Sequence, residues 1–211
     1  MKTQKGQQMP HSPQPIGRRE RNKQDKLERI IAAARQLFEA HGVDAVTTQQ
    51  IADKADIGTG TLFLYAKSKS ELFLLVQNSS YAVALDEGKA AAADIPDVVE
   101  ALLAIIRPVV ECNRTHIENG RTYLRELVFG DPEEPHHRDA LSLTIQTEAA
   151  IAAVLSRDGR TEPGDAATLA QVVSSITFLS MAATIYAAST VDEIMQQIAD
   201  RVRVMLPHWA R

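Results

Sequence analysis

Apolar residues recur at helical spacing along most of this chain. Between Gln24 and Ala40 the residues Leu27, Ile30, Ile31, Ala34, Leu37 and Phe38 fall in step, and Gly42 follows where a helix would stop on a left-handed residue. Thr47 and Gln50 have the spacing of a capping box, which opens a short helix whose apolar face is Val46, Ile51, Ala52 and Ala55. Asp56-Ile57-Gly58 then predicts a turn, since Asp56 tolerates left-handed geometry and Gly58 has no side chain to forbid it. Thr59 to Tyr65 reads as a second helix, too short to stand without neighbours. Two helices joined by such a turn form a helix-turn-helix, whose second helix enters the DNA major groove.

The remaining pattern predicts longer helices. Lys69 to about Lys89 carries Leu72, Phe73, Leu75, Val76, Val83, Ala84 and Leu85 on its apolar side. Ile95 to about His116 is apolar around most of its circumference and predicts a central buried helix, kinked by Pro108. Glu118 to Phe129 makes another, ended by Gly130-Asp131-Pro132 and Pro135. His136 to about Ser156 follows, with Leu141, Ile145, Ala149, Ala152 and Leu155 in step. Asp165 to Ala188 is dense in Ala, Ser and Thr, a surface another helix can approach closely. Thr190 with Glu193 forms a second capping box, opening a helix through Ile194, Ile198, Val202 and Met205 that stops before Pro207. The expectation is an all-α chain of about nine helices.

Charge sharpens this picture. Residues 1–75 hold 12 Lys/Arg against 8 Asp/Glu, whereas residues 76–211 hold 11 against 19. The basic end is the helix-turn-helix end, which suits a DNA-facing head on a body that phosphates repel; a chance split over solvated faces is the plainer alternative. Met1 to Lys23 has almost no apolar content and is expected to be disordered when free. Arg18, Arg19, Arg21 and Lys23 in it are placed to reach a minor groove or phosphates, with a plain solvated tail as the alternative. The single cysteine, Cys112, excludes an internal disulfide and a multi-thiolate zinc site, so a reducing cytoplasm is the expected home. No window approaches the roughly 18 unbroken apolar residues of a membrane span, and the N-terminus is not signal-like, so no membrane partner is expected.

A longer run of residues carries a family resemblance. Arg29-Ile30-Ile31-Ala32-Ala33-Ala34, Phe38, Gly42, Thr47-Thr48, Ile51-Ala52, Gly60-Thr61-Leu62-Phe63, Lys67-Ser68-Lys69 and Glu71-Leu72 together resemble the DNA-binding domain of the TetR/AcrR family of bacterial transcriptional regulators over about fifty residues. The chain departs from that pattern at Asp56, where the family usually has Gly, at Gly58 (Ser), at Phe63 (Tyr) and at Ala66 (an aromatic). Phe63 lacks the hydroxyl that Tyr would offer a phosphate. With the basic arm at 1–23 set by composition, the expected organisation is a three-helix helix-turn-helix DNA-binding domain at 24–70 and a helical ligand-binding and dimerisation domain at 71–211. The resemblance implies a connecting helix from Lys69 that passes ligand-induced shifts to the heads, and a homodimer built on the last two long helices. A repressor released from double-stranded operator DNA by a small molecule is the implied function; a ligand-responsive activator is the alternative, and a helical carrier or enzyme using the motif only for packing a more distant one.

The residues themselves suggest how such a head reads DNA. Thr48 at a helix N-terminus and Lys69 at the start of the next long helix suit phosphate oxygens. Thr59, Thr61, Phe63 and Tyr65 are candidates for base edges, Gly60 lets the backbone come close, and Gln49 suits either. Domain core is the plainer reading for Leu62 and Phe63. One motif reads only a half-site, so a dimer with heads about 34–36 Å apart is expected.

Candidate ligand-lining residues are Tyr81, Arg107, Cys112, Tyr123, Phe129, Phe178, Met181 and Tyr186, each with core packing as its plainer reading. Their chemistry points to a largely apolar ligand held between helices. Cys112 with His116, and His136-His137 beside Glu133, Glu134 and Asp139, are weak metal signals that a buried thiol and a solvated loop explain as well. No metal, cofactor or catalytic residue is expected, because no glycine-rich phosphate cradle and no placeable acid/base pair occurs.

Overall fold

The computed structural model describes residues 17–206, apart from Asp158 and Arg160. These residues form α1 (Arg18–His41), α2 (Thr48–Lys54), α3 (Thr59–Leu62), α4 (Lys69–Ala92), α5 (Val98–Arg114), α6 (Ile117–Phe129), α7 (Pro135–Leu155), α8 (Pro163–Ala182) and α9 (Val191–Met205). A short 3-10 turn, Thr184–Tyr186, separates the last two, and no strand occurs among the described residues. The described residues are all-α, with a helix-turn-helix head followed by a helical body.

The short α3 stops at Leu62 rather than Tyr65, and three long helices differ in extent from the sequence expectation, each for a visible reason. The first helix starts at Arg18 rather than Gln24, so the basic residues Arg18, Arg19, Arg21 and Lys23 sit on its exposed opening turns; residues 1–16 of the expected arm lie outside the described residues. Once the apolar face from Ile30 is anchored, extending a helix backwards through Arg, Glu and Lys adds a bond per residue without a new nucleus. The central helix starts at Val98, after Pro96, where the Asp97 side chain accepts from the Glu100 amide at 2.9 Å. It runs on through Pro108 to Arg114. The eighth helix stops at Ala182, because Ala183 is extended and the Arg114 guanidinium gathers the carbonyls of Tyr186, Ala187 and Ser189 at 3.0, 3.0 and 2.7 Å. Those three bonds hold the following segment in a loop that a continued helix would deny them.

The seventh helix turns a different face inward than its strongest apolar stripe suggests. Leu141 and Ile145 are exposed, at 36% and 65%, while His137, Ala140, Ile151, Val154 and Leu155 are buried. Val83 on α4 likewise faces out.

Two apolar clusters organise the molecule. One joins α1, α2, α3 and the first half of α4 around Phe38 and Phe73, whose rings meet edge to face at 5.6 Å, and it continues into Tyr81, Tyr123 and Ala140. Such a ring pair adds about 0.5–1.5 kcal/mol beyond its area burial. The other fills the body between α5, α7, α8 and α9, with Leu102, Ile105, Ile106, Ile151, Leu155 and Ile194 at its centre. Glycines set two close approaches. A Cβ on Gly88 would stand 2.5 Å from the Ile105 carbonyl oxygen, so α4 lies against α5 backbone to side. A Cβ on Gly120 would collide with the Asn113 carbonyl, which fixes the α5–α6 corner.

The eighth helix is long and apolar enough, by length and composition, to cross a membrane, and 33% of that stretch is buried. Its Ser and Thr residues interrupt the apolar run, and its outward residues Thr168, Val172, Ser175, Ile176 and Leu179 form a shallow apolar groove.

Candidate functional site

The helix-turn-helix is laced by side chains. Thr47 Oγ1 accepts from the Gln50 amide at 3.2 Å and Gln50 Oε1 accepts from the Thr47 amide at 2.8 Å, the reciprocal capping box that the spacing predicts. Asp56 takes φ +53°, the left-handed residue of the turn, and the Ile57 amide donates to the Ala52 carbonyl at 3.0 Å. Gly58 gives α3 no side-chain cap. Instead Thr59 Oγ1 donates to Gln49 Oε1 at 2.7 Å, while Gln49 Nε2 donates to Asp53 Oδ1 at 2.7 Å, so α2 holds the start of α3.

This brings most of the sequence candidates to one exposed region. Gln49, Gly60 and Phe63 are exposed, and Thr48, Thr59, Thr61, Tyr65 and Lys69 are half-buried. Leu62 is buried, as domain core, whereas Phe63 is 45% exposed. Gly60 has open space where a Cβ would project. Besides Gln49 and Thr59, two more candidates have structural partners: Tyr65 Oη donates to the Lys23 carbonyl at 3.2 Å, and Lys69 Nζ to the Asp44 carbonyl at 3.2 Å. Leu64, 82% exposed beside them, had no distinguishing signal in the sequence.

Two buried polar groups join this head to the body, and sequence reasoning missed both. Glu71, in the first turn of α4, accepts from the His136 amide at 3.2 Å and the His137 amide at 3.3 Å, which are orphan donors at the N-terminus of α7. Asn119 of α6 accepts from the Val43 amide at 3.0 Å and donates to the Phe38 carbonyl at 2.8 Å, holding the corner after α1 from both sides. Around them His136 Nε2 lies 3.1 Å from the Tyr65 carbonyl, and His137 Nε2 lies 3.0 Å from the Glu126 carbonyl. A Glu in the first turn of α4 marks a helix start in the sequence but does not point to these partners.

Behind this junction lies an internal cavity of about 80 Å³ between α4, α5, α6, α7 and α8. Tyr81, Tyr123, Phe178 and Met181 line it, with Leu124, Leu143, Thr144, Thr147, Ile151 and Thr177 among the others. The rings of Tyr81 and Tyr123 stack at 4.2 Å. Their hydroxyls are engaged: Tyr81 Oη accepts from Asn113 Nδ2 at 2.8 Å and Tyr123 Oη donates to Asn78 Oδ1 at 2.9 Å. Burial pushes both phenols well above their ordinary range, with Cys112 adding to it. Thr144, Thr147 and Thr177 each donate to the carbonyl four residues back, so these hydroxyls offer the cavity no spare proton.

The other four ligand candidates are elsewhere. Arg107 pairs with Asp192 at 2.9 Å and Glu111 at 3.5 Å in an outer groove between α5 and α9. Cys112 packs against the head cluster, where burial pushes its thiol up to about 11. Phe129 is 82% exposed at the end of α6. Tyr186 lies under Arg201, whose Nη2 donates to its hydroxyl at 2.8 Å. Helical spacing places a side chain on a helix, and the neighbouring helices decide whether it faces the cavity. Among the described residues no three His, Cys, Asp or Glu side chains converge as a metal site. His116 caps α6 through Nδ1, which accepts from the Asn119 amide at 3.3 Å.

A head of this geometry on a helical body has the arrangement of a helix-turn-helix DNA-binding domain with a helical second domain. Residues 30–76 match the family model of bacterial regulatory proteins, tetR family. No curated protein matches it in sequence. Among solved structures it is similar to the Thermus thermophilus FadR, a TetR-family transcriptional repressor in complex with lauroyl-CoA. That likeness has 23% identity and a TM-score of 0.68 over 85% of this chain and 93% of that one. A TetR-family regulator from Streptomyces coelicolor gives 19% identity and a TM-score of 0.63 over 89% and 97%. The fatty acid degradation regulator FadR from Bacillus halodurans gives 15% and 0.60 over 84% and 96%. At these identities the likeness is one of fold.

Proposed function

We propose that the protein is a cytoplasmic, homodimeric repressor whose head leaves operator DNA when a largely apolar small molecule enters the body. The observation that carries this reading is the Tyr81–Tyr123 stack. The same two rings belong to the apolar cluster of the head and to the wall of the cavity. At about 80 Å³ the cavity is well below the roughly 300–1,000 Å³ of a ligand-filled pocket, so a ligand must part the surrounding helices to enter. The helix it would displace, α6, carries Asn119, and α7 carries the amides that Glu71 holds. A ligand that binds the parted form better draws the population toward it, and the operator draws the other way. The lauroyl-CoA bound by the similar Thermus thermophilus protein supports an apolar ligand.

On the DNA side, Thr48 and Lys69 take phosphates, Gln49 a phosphate or base, and Thr59, Thr61 and Phe63 base edges, with Gly60 allowing close approach. Tyr65 spans α3 and α1 through the Lys23 carbonyl, so it positions the reading helix as well as touching DNA. The exposed apolar residues Val172 and Leu179 on α8, with Val204 on α9, support pairing with a second copy. Two heads then meet half-sites about 34–36 Å apart.

The test is binding of the full chain to its own upstream intergenic DNA against a random duplex, over a range of salt. Sequence-selective binding that weakens steeply with salt is expected, with Lys69→Ala lowering the salt slope by about 1 and Tyr65→Ala weakening binding without loss of helix. Equal affinity for the random duplex would contradict the reading.

A further inference from the structure

A second depression lies on the other side of the cavity wall. It is an open groove of about 530 Å³ along α6, bounded by Phe178 and Ala182 of α8 and by Asp44 of the head. Leu124 and Phe178 line both spaces, so two side chains separate the smaller, mostly apolar cavity from the wider groove. Arg121 and Arg125 stand in the groove, one helical turn apart and therefore on the same face of α6. Arg121 has no ion pair among the described residues, and the ion pair of Arg125, with its chain neighbour Glu126, is stretched to 3.9 Å. Glu118 and Asp44 also line the groove, with Glu118 toward the N-terminal end of α6. The two guanidiniums follow it along the helix, and Val128 and Phe129 come after them. The cavity and the groove differ in chemistry: one has threonine hydroxyls already bonded and no charge, the other two guanidiniums of which one has only a long ion pair and the other none among the described residues.

We propose that the effector is an amphipathic anion, with an unbranched apolar chain in the cavity, passing between Leu124 and Phe178, and a carboxylate or phosphate-bearing head on Arg121 and Arg125. This deepens the ligand-responsive reading and rests on it. Guanidiniums pair carboxylate and phosphate oxygens bidentately, and an i, i+4 pair presents both forks to one head group. The apolar wall on either side accepts the chain without an unpaired polar atom. Each methylene that enters tightens binding about fourfold until the space is filled.

Binding is measured by calorimetry on the full chain without DNA, so the result is independent of whether an operator has been found. The ligands are dodecanoate, its coenzyme A thioester and dodecanol, titrated into the wild type, Arg121→Gln/Arg125→Gln and Phe178→Trp. For the wild type, the expected order is an anion at least tenfold tighter than dodecanol. The double glutamine variant should lose that advantage and keep its affinity for dodecanol, while Phe178→Trp should weaken both. Tighter binding of the thioester than of dodecanoate would assign the head to a phosphate-bearing carrier, and the reverse order to a free carboxylate; either supports the proposal. Dodecanol binding as tightly as dodecanoate, unchanged anion binding by the double variant, or no binding of any of the three would overturn it. The last result would leave the DNA-binding reading standing. Both arginines project from α6 without a buried partner, so an unchanged helical signal in the double variant checks that the fold is intact.

Discussion

The head and the body close their interiors differently. In the head, four helical segments pack on Phe38 and Phe73 with a tight seam, laced by the capping box, Gln49 to Thr59, and Tyr65 to Lys23. In the body, long helices surround a larger apolar core yet leave a cavity at its edge, against the head's own cluster. A close-packed unit moves as a whole, whereas a packed layer with a gap has somewhere to give. Under the proposed ligand response, the head is the part that would be moved and the α6–α7 layer the part that would yield. The two regions also meet closely, since Tyr81, Tyr123 and Ala140 of the body pack with the head cluster.

The comparison can be broken most severely at Gly120. A methyl there collides with the Asn113 carbonyl, so Gly120→Ala should push α6 away from α5 and cost about 3 kcal/mol, read as a fall in the urea midpoint. Unchanged stability would mean that α6 is already loose. A smaller effect is expected at Asn119. Asn119→Ala leaves the Val43 amide and the Phe38 carbonyl without their partner and should cost about 1–3 kcal/mol. If the head is held through α6, the same variant should also bind operator more weakly at temperatures where it is fully folded. Full operator affinity in that variant would reduce Asn119 to a packing residue.

Cys112 gives the smallest effect and reports on the seam between the two regions. Burial raises its pKa from 9.0 to about 11, so the folded state holds the thiol proton more tightly than the unfolded state. Stability from this group is therefore unaffected below about pH 9 and falls as pH climbs toward 11. Alkylation by iodoacetamide at pH 8 should be slow in the folded protein and speed up when ligand parts the helices. Fast alkylation of the ligand-free protein would show a seam that is already open.

The head was largely legible in the sequence. Thr47 and Gln50, Asp56 in the turn and Gly42 at the end of α1 are local rules acting within a few residues, and each has the geometry its chemistry predicts. The body was legible as helices but not as faces. Leu141 and Ile145 make the cleaner apolar stripe on α7, yet the inward face carries Thr144 and Thr147, whose hydroxyls are satisfied by their own helix and so cost little to bury. Glu71 and Asn119 act across 65 and 76 positions of chain, and no spacing rule reaches that far. The same holds for the division of the ligand candidates, of which Tyr81, Tyr123, Phe178 and Met181 face the cavity while Arg107, Cys112, Phe129 and Tyr186 do not.

The most direct measurement is operator affinity with and without saturating dodecanoate, paired with dodecanoate affinity with and without saturating operator. The account predicts that each ligand weakens the other by the same factor, on the order of 5–150-fold. Operator affinity that is unchanged by bound dodecanoate would contradict the claim that the cavity and the head share one mechanical unit.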